Sequence, residues 1–320
     1  MLSRVADSLY WMSRYLERAE HTARLIDVNL NLALELSPQA ASGHWRRVVS
    51  SLRGPAFEGS QLRPFNVTEY LAFDTSNADS LVTCITLARE NCRQVREQVS
   101  TEMWEHMNRL YLQVKRSNIS GIWSAQPHEF FRAVREGAYL FHGIIDSTMS
   151  HGDGWHFIQL GRYIERAGAT ALLLDVHFAE LERTLGKGPG AREFLQWVGL
   201  LRSCSAFEAY CQFYTADLRP QRIIEFLLLN SDFPRSVRYA VRMVGYCLRK
   251  IGSSNQSARA SRAERISGRL RATLDYGQVD EIISDNLHSY LDNIRRQCWA
   301  IHMAVQQSYI AYSVEAALAS

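Results

Sequence analysis

Lysine is almost missing from this chain. Only Lys115, Lys187 and Lys250 occur, so 33 of the 36 basic residues are arginine. Arginine presents a planar fork that pairs with a carboxylate or phosphate through two parallel hydrogen bonds, and the point charge of lysine does not. A GC-rich genome gives the same bias without function, so only arginines placed by a motif carry the argument further. Proline is scarce too, with seven in 320 residues, which leaves room for long helices. No run of 18 apolar residues occurs, and Met1-Leu2-Ser3-Arg4-Val5-Ala6-Asp7 lacks the apolar segment of a signal peptide. A soluble, cytoplasmic protein with no membrane partner is expected. The cysteines Cys84, Cys92, Cys204, Cys211, Cys247 and Cys298 show no C-x-x-C spacing, so buried free thiols are expected in place of a zinc cage or a disulfide framework. The alternation that marks strands is nearly absent. No P-loop, G-x-S-x-G or catalytic Cys/His motif is present, so no cofactor is implied. A net charge of +3 is too small to point to nucleic acid.

What is present is a repeat. Arg14-Tyr15-Leu16-Glu17-Arg18-Ala19-Glu20-His21-Thr22-Ala23-Arg24-Leu25-Ile26-Asp27-Val28 returns as Arg162-Tyr163-Ile164-Glu165-Arg166-Ala167-Gly168-Ala169-Thr170-Ala171-Leu172-Leu173-Leu174-Asp175-Val176, with ten of fifteen positions identical at an offset of 148. The offset then grows in steps, as expected if loops gained residues while helices were kept. Trp45 and Val48 match Trp197 and Leu200 at 152; Glu69, Leu71 and Ser80 match Glu225, Leu227 and Ser236 at 156; His128, Arg135 and His142 match His288, Arg295 and His302 at 160. The chain reads as a duplication with halves of about 1–149 and 150–320, packed as one pseudo-symmetric unit.

Helical periodicity dominates, and the fold class expected is all-α: a helical bundle with long central helices. Leu9, Met12, Leu16, Ala19, Ala23, Ile26, Leu30 and Ala33 recur at three and four residues, which predicts one helix from Ser3 to Leu36, ended by Ser37-Pro38. Its counterpart over about 155–183 is apolar all round after Gly168, the mark of a helix enclosed by others. Further helices are predicted at about 65–73, 78–115, 128–148, 191–214, 219–229, 234–251, 263–272 and 278–317. Loops are read from Gly, Pro, Ser and Asn content at 37–64, 117–127, 186–190, 230–234 and 252–263, and the tract from Gly252 to Arg259 reads as mobile.

Four groups could carry chemistry. On a helix Arg14, Glu17, Arg18 and His21 fall on one stripe, as do Arg162, Glu165, Arg166 and Ala169. Stripes that face each other would set four arginines against two glutamates, so other acids join a closed salt-bridge network or an anion is bound. Second, Arg89-Glu90-Asn91 with Arg93, Arg96 and Glu97 has the pattern of ion pairs along an exposed helix. Third, Arg202 and Glu208 sit in an otherwise apolar helix and so need partners. Fourth, Asp232, Arg235 and Ser236 surround a predicted helix start, with Asp or Ser as the cap and Pro234 in the first turn; its free amides plus Arg235 could hold a phosphate or carboxylate, and simple capping explains it equally well. Metal is not expected. A carboxylate-bridged di-iron bundle needs Glu-x-x-His pairs, whereas Glu17 and His21 are four apart and the second tract has Gly168 and Ala169 at the places of Glu20 and His21.

In these motifs the chain resembles the bacterial alpha-E family along its whole length. The resemblance is carried by Met1-Leu2-Ser3-Arg4-Val5-Ala6 with Leu9-Tyr10-Trp11, the tract Arg14 to Arg18, Ala88 to Arg93, Gly154-Trp155 followed by Leu160-Gly161-Arg162-Tyr163-Ile164-Glu165-Arg166-Ala167, Leu201-Arg202-Ser203 with Glu208-Ala209-Tyr210, and Phe226-Leu227-Leu228 with Phe233-Pro234-Arg235-Ser236. Ser13 departs from the glycine seen at Gly161, and Asn77-Ala78-Asp79-Ser80 lacks the proline of Pro234. The resemblance implies an all-helical protein whose genes accompany a circularly permuted ATP-grasp protein and often a transglutaminase-like protease, in a peptide-synthesis or peptide-modification system. It brings no catalytic residue with it. Two expectations follow. One is a helical partner or substrate-presenting subunit of an ATP-grasp carboxylate-amine ligase, its arginines engaging peptide carboxylates. The other is an enzyme in which Glu17 or Glu165 acts as acid or base in an arginine-lined cleft.

Overall fold

The longest apolar periodicity in the sequence becomes the spine of the structure. A computed structural model describes residues 1–35, 38–52, 62–182, 191–215, 217–254 and 260–310. Among them are fourteen α-helices and no strand. Helix α1 (Ser3–Ala33) carries Leu9, Met12, Leu16, Ala19, Ala23 and Ile26 on its apolar side, all fully buried. Its other sides are buried too, although they bear Arg14, Glu17, Glu20, His21, Arg24 and Asp27. Such a helix is stable only where neighbours on every side bring counter-charges.

Those neighbours come in two sets. After α2 (Pro38–Ser50) and α3 (Pro64–Ala72), the first half continues with α4 (Leu81–Gln94), α5 (Thr101–Arg116), α6 (Ile119–Ser124) and α7 (Pro127–Thr148). The second half holds α8 (Asp153–Glu182), α9 (Ala191–Ser203), α10 (Phe207–Tyr214), α11 (Pro220–Leu229), α12 (Val237–Ser254), α13 (Ala260–Tyr276) and α14 (Val279–Val305), which ends in a π-helical turn at Gln306–Ile310. Helix α1 packs on α4 and α7, and α4 and α7 each pack on α5; likewise α8 packs on α12 and α14, and α12 and α14 each pack on α13. The sets meet where α1 lies along α8. At the contact Gly161 is indispensable: a Cβ there would stand 2.3 Å from the carbonyl oxygen of Tyr10, so the two backbones touch. One continuous hydrophobic core runs through both halves. None of these helices is long and apolar enough to cross a membrane.

Local punctuation differs from the sequence reading in four places. The stretch 37–64 contains α2, whose Trp45 and Val48 are buried; Gly43 and Pro38 suggested a loop, but proline is tolerated in a first helical turn. Likewise 117–127 contains α6, started by Asn118, whose side chain accepts from the Gly121 amide at 2.8 Å. The predicted helix 78–115 is broken into α4 and α5, because Val95 and Val99 leave helical geometry and Ser100 caps α5 by accepting from Met103 N at 3.2 Å. The predicted 191–214 splits at Ser205, whose φ of 49° is left-handed. The expected loop at 186–190 and most of the tract from Gly252 to Arg259 lie outside the described residues, as does the end of the predicted helix 278–317. All six cysteines are free, and five are buried. Burial pushes the thiols of Cys84 and Cys92 up to about 12.

Candidate functional site

The two Arg-x-x-Glu-Arg stripes face each other and exchange partners. From α1, Arg14 donates through Nε and Nη2 to Glu165 Oε2 at 2.9 and 2.8 Å, and Arg18 Nε donates to Glu165 Oε1 at 2.9 Å. From α8, Arg166 grips Glu17 with both prongs, Nε to Oε1 at 2.6 Å and Nη2 to Oε2 at 2.8 Å. Arg162 Nε stands 3.7 Å from Glu17 Oε2. Each glutamate is thus held by the arginines of the opposite helix.

Other charges join. Arg235, just before α12, reaches Glu17 Oε1 at 3.4 Å and Glu20 Oε2 at 3.1 Å. Asp79, just before α4, pairs with Arg18, and Glu20 pairs with Arg24. Arg24 Nε also donates to the carbonyl of Ser203 at 2.6 Å, and Tyr139 Oη donates to Glu20 Oε1 at 2.9 Å. Among the described residues the cluster therefore sets six guanidinium groups (Arg14, Arg18, Arg24, Arg162, Arg166 and Arg235) against four carboxylates (Glu17, Glu20, Glu165 and Asp79), an excess of two positive charges.

This surroundings sets the protonation states. Burial by itself would raise the Glu17 carboxyl, but Arg166 and Arg235 overcome it and hold the group far below the usual carboxylate range. For Glu20 burial is likewise outweighed, by Arg235 and Arg24, and the value falls to about 2. Both are fixed as anions. His21 is driven the other way: burial and then the adjacent Arg24 lower it to about 3, so its ring is neutral. His142, whose Nε2 stands 3.9 Å from Glu17 Oε2, is also held neutral, by burial and then by Arg162 and Arg166.

Beside the cluster lies a pocket of about 430 Å3, measured with its open mouth. Its polar wall is Glu17, Arg18, His21 and Arg24 of α1, Glu165 and Arg166 of α8, and Arg235. Leu52, Ala169 and Leu172 make the rest mainly apolar. The void is narrow, with room for a few waters or one small anion.

The sequence candidates separate cleanly around this site. Arg14, Glu17, Arg18, Arg162, Glu165 and Arg166 come together, and Arg235 joins them by pairing with the carboxylates of Glu17 and Glu20. Its neighbour Ser236 is the cap of α12, accepting from Tyr239 N at 3.0 Å; Pro234 precedes the helix and is not in its first turn, and Asp232 does not cap, its own amide being tied to Asn230 Oδ1 at 2.9 Å. Arg89, Glu90 and Asn91 lie outside the pocket wall: Arg93 pairs with Glu90 at 2.6 Å, Arg89 stacks over Trp104 and Tyr111, and Asn91 donates to the Leu87 carbonyl. Arg202 and Glu208 are exposed, so the need for partners expected of an apolar helix does not arise; Arg202 covers the Phe207 ring at 5.4 Å. Asp79, Glu20 and Arg24 were missed. Glu20 and Arg24 are four apart on the same helix, a spacing that signals an ion pair, whereas nothing local to Asp79 reveals its contact with Arg18.

A matched pair of surface clusters completes the picture. Asp27 accepts from His128 and lies 3.1 Å from Arg135; Asp175 accepts from His288 at 2.6 Å and lies 3.8 Å from Arg295.

Comparison with known proteins places residues 1–310 in a family profile named Alpha-E and described as a predicted alpha-helical domain with a conserved ER motif. The Glu17-Arg18 and Glu165-Arg166 dipeptides fit that description. Uncharacterized proteins of Mycobacterium bovis and of two strains of Mycobacterium tuberculosis are 22% identical over 310 residues, covering 90% of this chain and 34% of theirs. The chain thus spans about a third of the length of the curated relatives it matches. No solved structure matches significantly.

Proposed function

We propose that this chain, which belongs to the Alpha-E family, is a helical partner or substrate-presenting subunit of a circularly permuted ATP-grasp carboxylate-amine ligase, working in peptide synthesis or modification. A transglutaminase-like protein is a further partner on this reading. Its chief support is the excess of guanidinium groups over carboxylates beside the pocket, which suits the carboxylate that such a ligase activates. A second support is length: a unit that matches only about a third of its relatives works there beside further chain. On the same view the halves 1–149 and 150–320 are copies of one unit, as the exchanged glutamates and the paired Asp27 and Asp175 clusters suggest.

The catalytic reading, with Glu17 or Glu165 as acid or base, has less behind it. A group that moves protons near neutrality needs a pKa near the working pH. Glu17 is held far below it, and Glu165 is gripped by Arg14 and Arg18.

The test is reconstitution. The chain is expected to co-purify with the neighbouring ATP-grasp protein, and mass spectrometry of the ligase reaction should show product only when both are present. A ligase that turns over equally well alone overturns the proposal.

A further inference from the structure

We infer that the pocket between α1, α8 and Arg235 binds a single small oxyanion, a carboxylate or a phosphate group, with the Nε2 proton of His21 and the surrounding guanidinium groups as donors. This goes deeper into the proposed function by naming the chemistry held; it rests on that reading only for which molecule carries the anion.

The decisive group is His21. Its Nδ1 lies 3.0 Å from Arg24 Nη2. A guanidinium only donates, so Nδ1 must be the acceptor and the ring proton must sit on Nε2. Nε2 is buried and has no hydrogen-bond partner among the described residues, yet His21 forms part of the pocket wall. A buried donor left without an acceptor is costly, and the remedy is an acceptor in the pocket. The charges favour an anionic acceptor over water. Arg18, Arg24, Arg166 and Arg235 line the same void, and among the described residues the cluster carries two more guanidinium groups than carboxylates. Glu17 and Glu165 also border it, but each is already covered by arginines of the opposite helix. The apolar side of Leu52, Ala169 and Leu172 keeps bulk water away and strengthens the attraction. The narrow space is of the size of a carboxylate or phosphate group.

The full chain, titrated with inorganic phosphate and separately with acetate in a buffer free of other oxyanions, should show a saturable rise in melting temperature. In the same titrations the His21 Nε2–H resonance, observed by 15N NMR, should move. Movement with phosphate alone assigns a phosphate carrier, and movement with acetate alone or with both assigns a carboxylate. Ala169→Leu fills the void without touching a charge, and His21→Phe removes the donor while keeping a ring; each should weaken binding about tenfold or more. The inference is overturned if neither anion moves the His21 signal, or if binding is undiminished in both variants. Should a variant fail to fold, the wild-type His21 signal still decides. A chain that enters the ligase complex yet binds neither anion would sink the pocket and leave the subunit; the converse would do the opposite.

Discussion

The tracts on α1 and α8 are alike in what they give each other and unlike in what they give their surroundings. Both supply a glutamate to the other's arginines, and both carry an aspartate that holds a histidine and an arginine at the surface. One turn on from the shared motif they part. The first tract has Glu20, His21 and Arg24, and the second has Gly168, Ala169 and Leu172 at the matching places. The pocket opens where large polar side chains meet small and apolar ones. The residues just before the two capping serines diverge in step: Arg235 precedes Ser236 and meets Glu20, whereas Asp79 precedes Ser80 and meets Arg18. What the tracts share braces the molecule, and what they do not share makes room for a ligand.

The largest effect should come from breaking the brace unequally. Glu17→Gln and Glu165→Gln each strip the counter-charge from buried arginines, a change that costs about 3–5 kcal/mol. Glu17 faces Arg162, Arg166 and Arg235, whereas Glu165 faces Arg14 and Arg18. Urea unfolding should show a lowered midpoint for each, and a wild-type midpoint for Glu17→Gln would show that Arg162, Arg166 and Arg235 do without their shared counter-charge. A smaller contrast concerns the helix contact itself. Gly161→Ala forces the backbones of α1 and α8 apart, for about 3 kcal/mol by the usual scale of overpacking. Ser13 stands at the matching place on α1 with a buried hydroxyl that has no partner among the described residues, so Ser13→Ala should stay within about 1 kcal/mol of wild type. The same chemical denaturation resolves both.

A further contrast is graded with pH. His21, which has no counterpart in the second tract, is neutral in the fold with a value of about 3, and His177 on α8 is likewise lowered to about 3 by burial and then by Arg47. An unfolded chain takes up these protons near 6.5, so stability is complete above that pH and declines as pH falls toward 3. The slope is about 1.4 kcal/mol per pH unit for each histidine. His142, also held neutral by burial, contributes in the same direction, so His21→Phe should lessen the decline between pH 6 and pH 4 by about a third, and an unaltered slope would mean that other groups govern it.

The sequence made some of this legible and hid the rest for identifiable reasons. The two central helices announced themselves, α1 by its long apolar period and α8 by the repeated tract and a run that is apolar all round. The facing stripes followed from spacing alone. Helices α2 and α6 were concealed by Gly, Pro and Ser, residues that begin helices as readily as they end them. The breaks at Val95 to Ser100 and at Ser205 arise from capping and a left-handed residue, which apolar periodicity does not register. Within the site, Arg14, Glu17, Arg18 and their counterparts could be found because they recur. Asp79 reaches Arg18 across 61 residues, and Arg235 reaches Glu17 across 218. Contacts at that range depend on tertiary packing, and no local pattern marks them.

The crossed pairing of Glu17 with Arg166 also has a consequence in time. The two residues are 149 positions apart, and a ribosome adding about 5–20 residues per second takes roughly 7–30 s to cover that distance. Throughout that interval the emerging first half holds a carboxylate whose partners have not been made. Burying it early would strand a bare charge, so α1 should stay wet and loosely docked until α8 leaves the exit tunnel. The brace that locks the finished protein thus cannot close before its second half has been made.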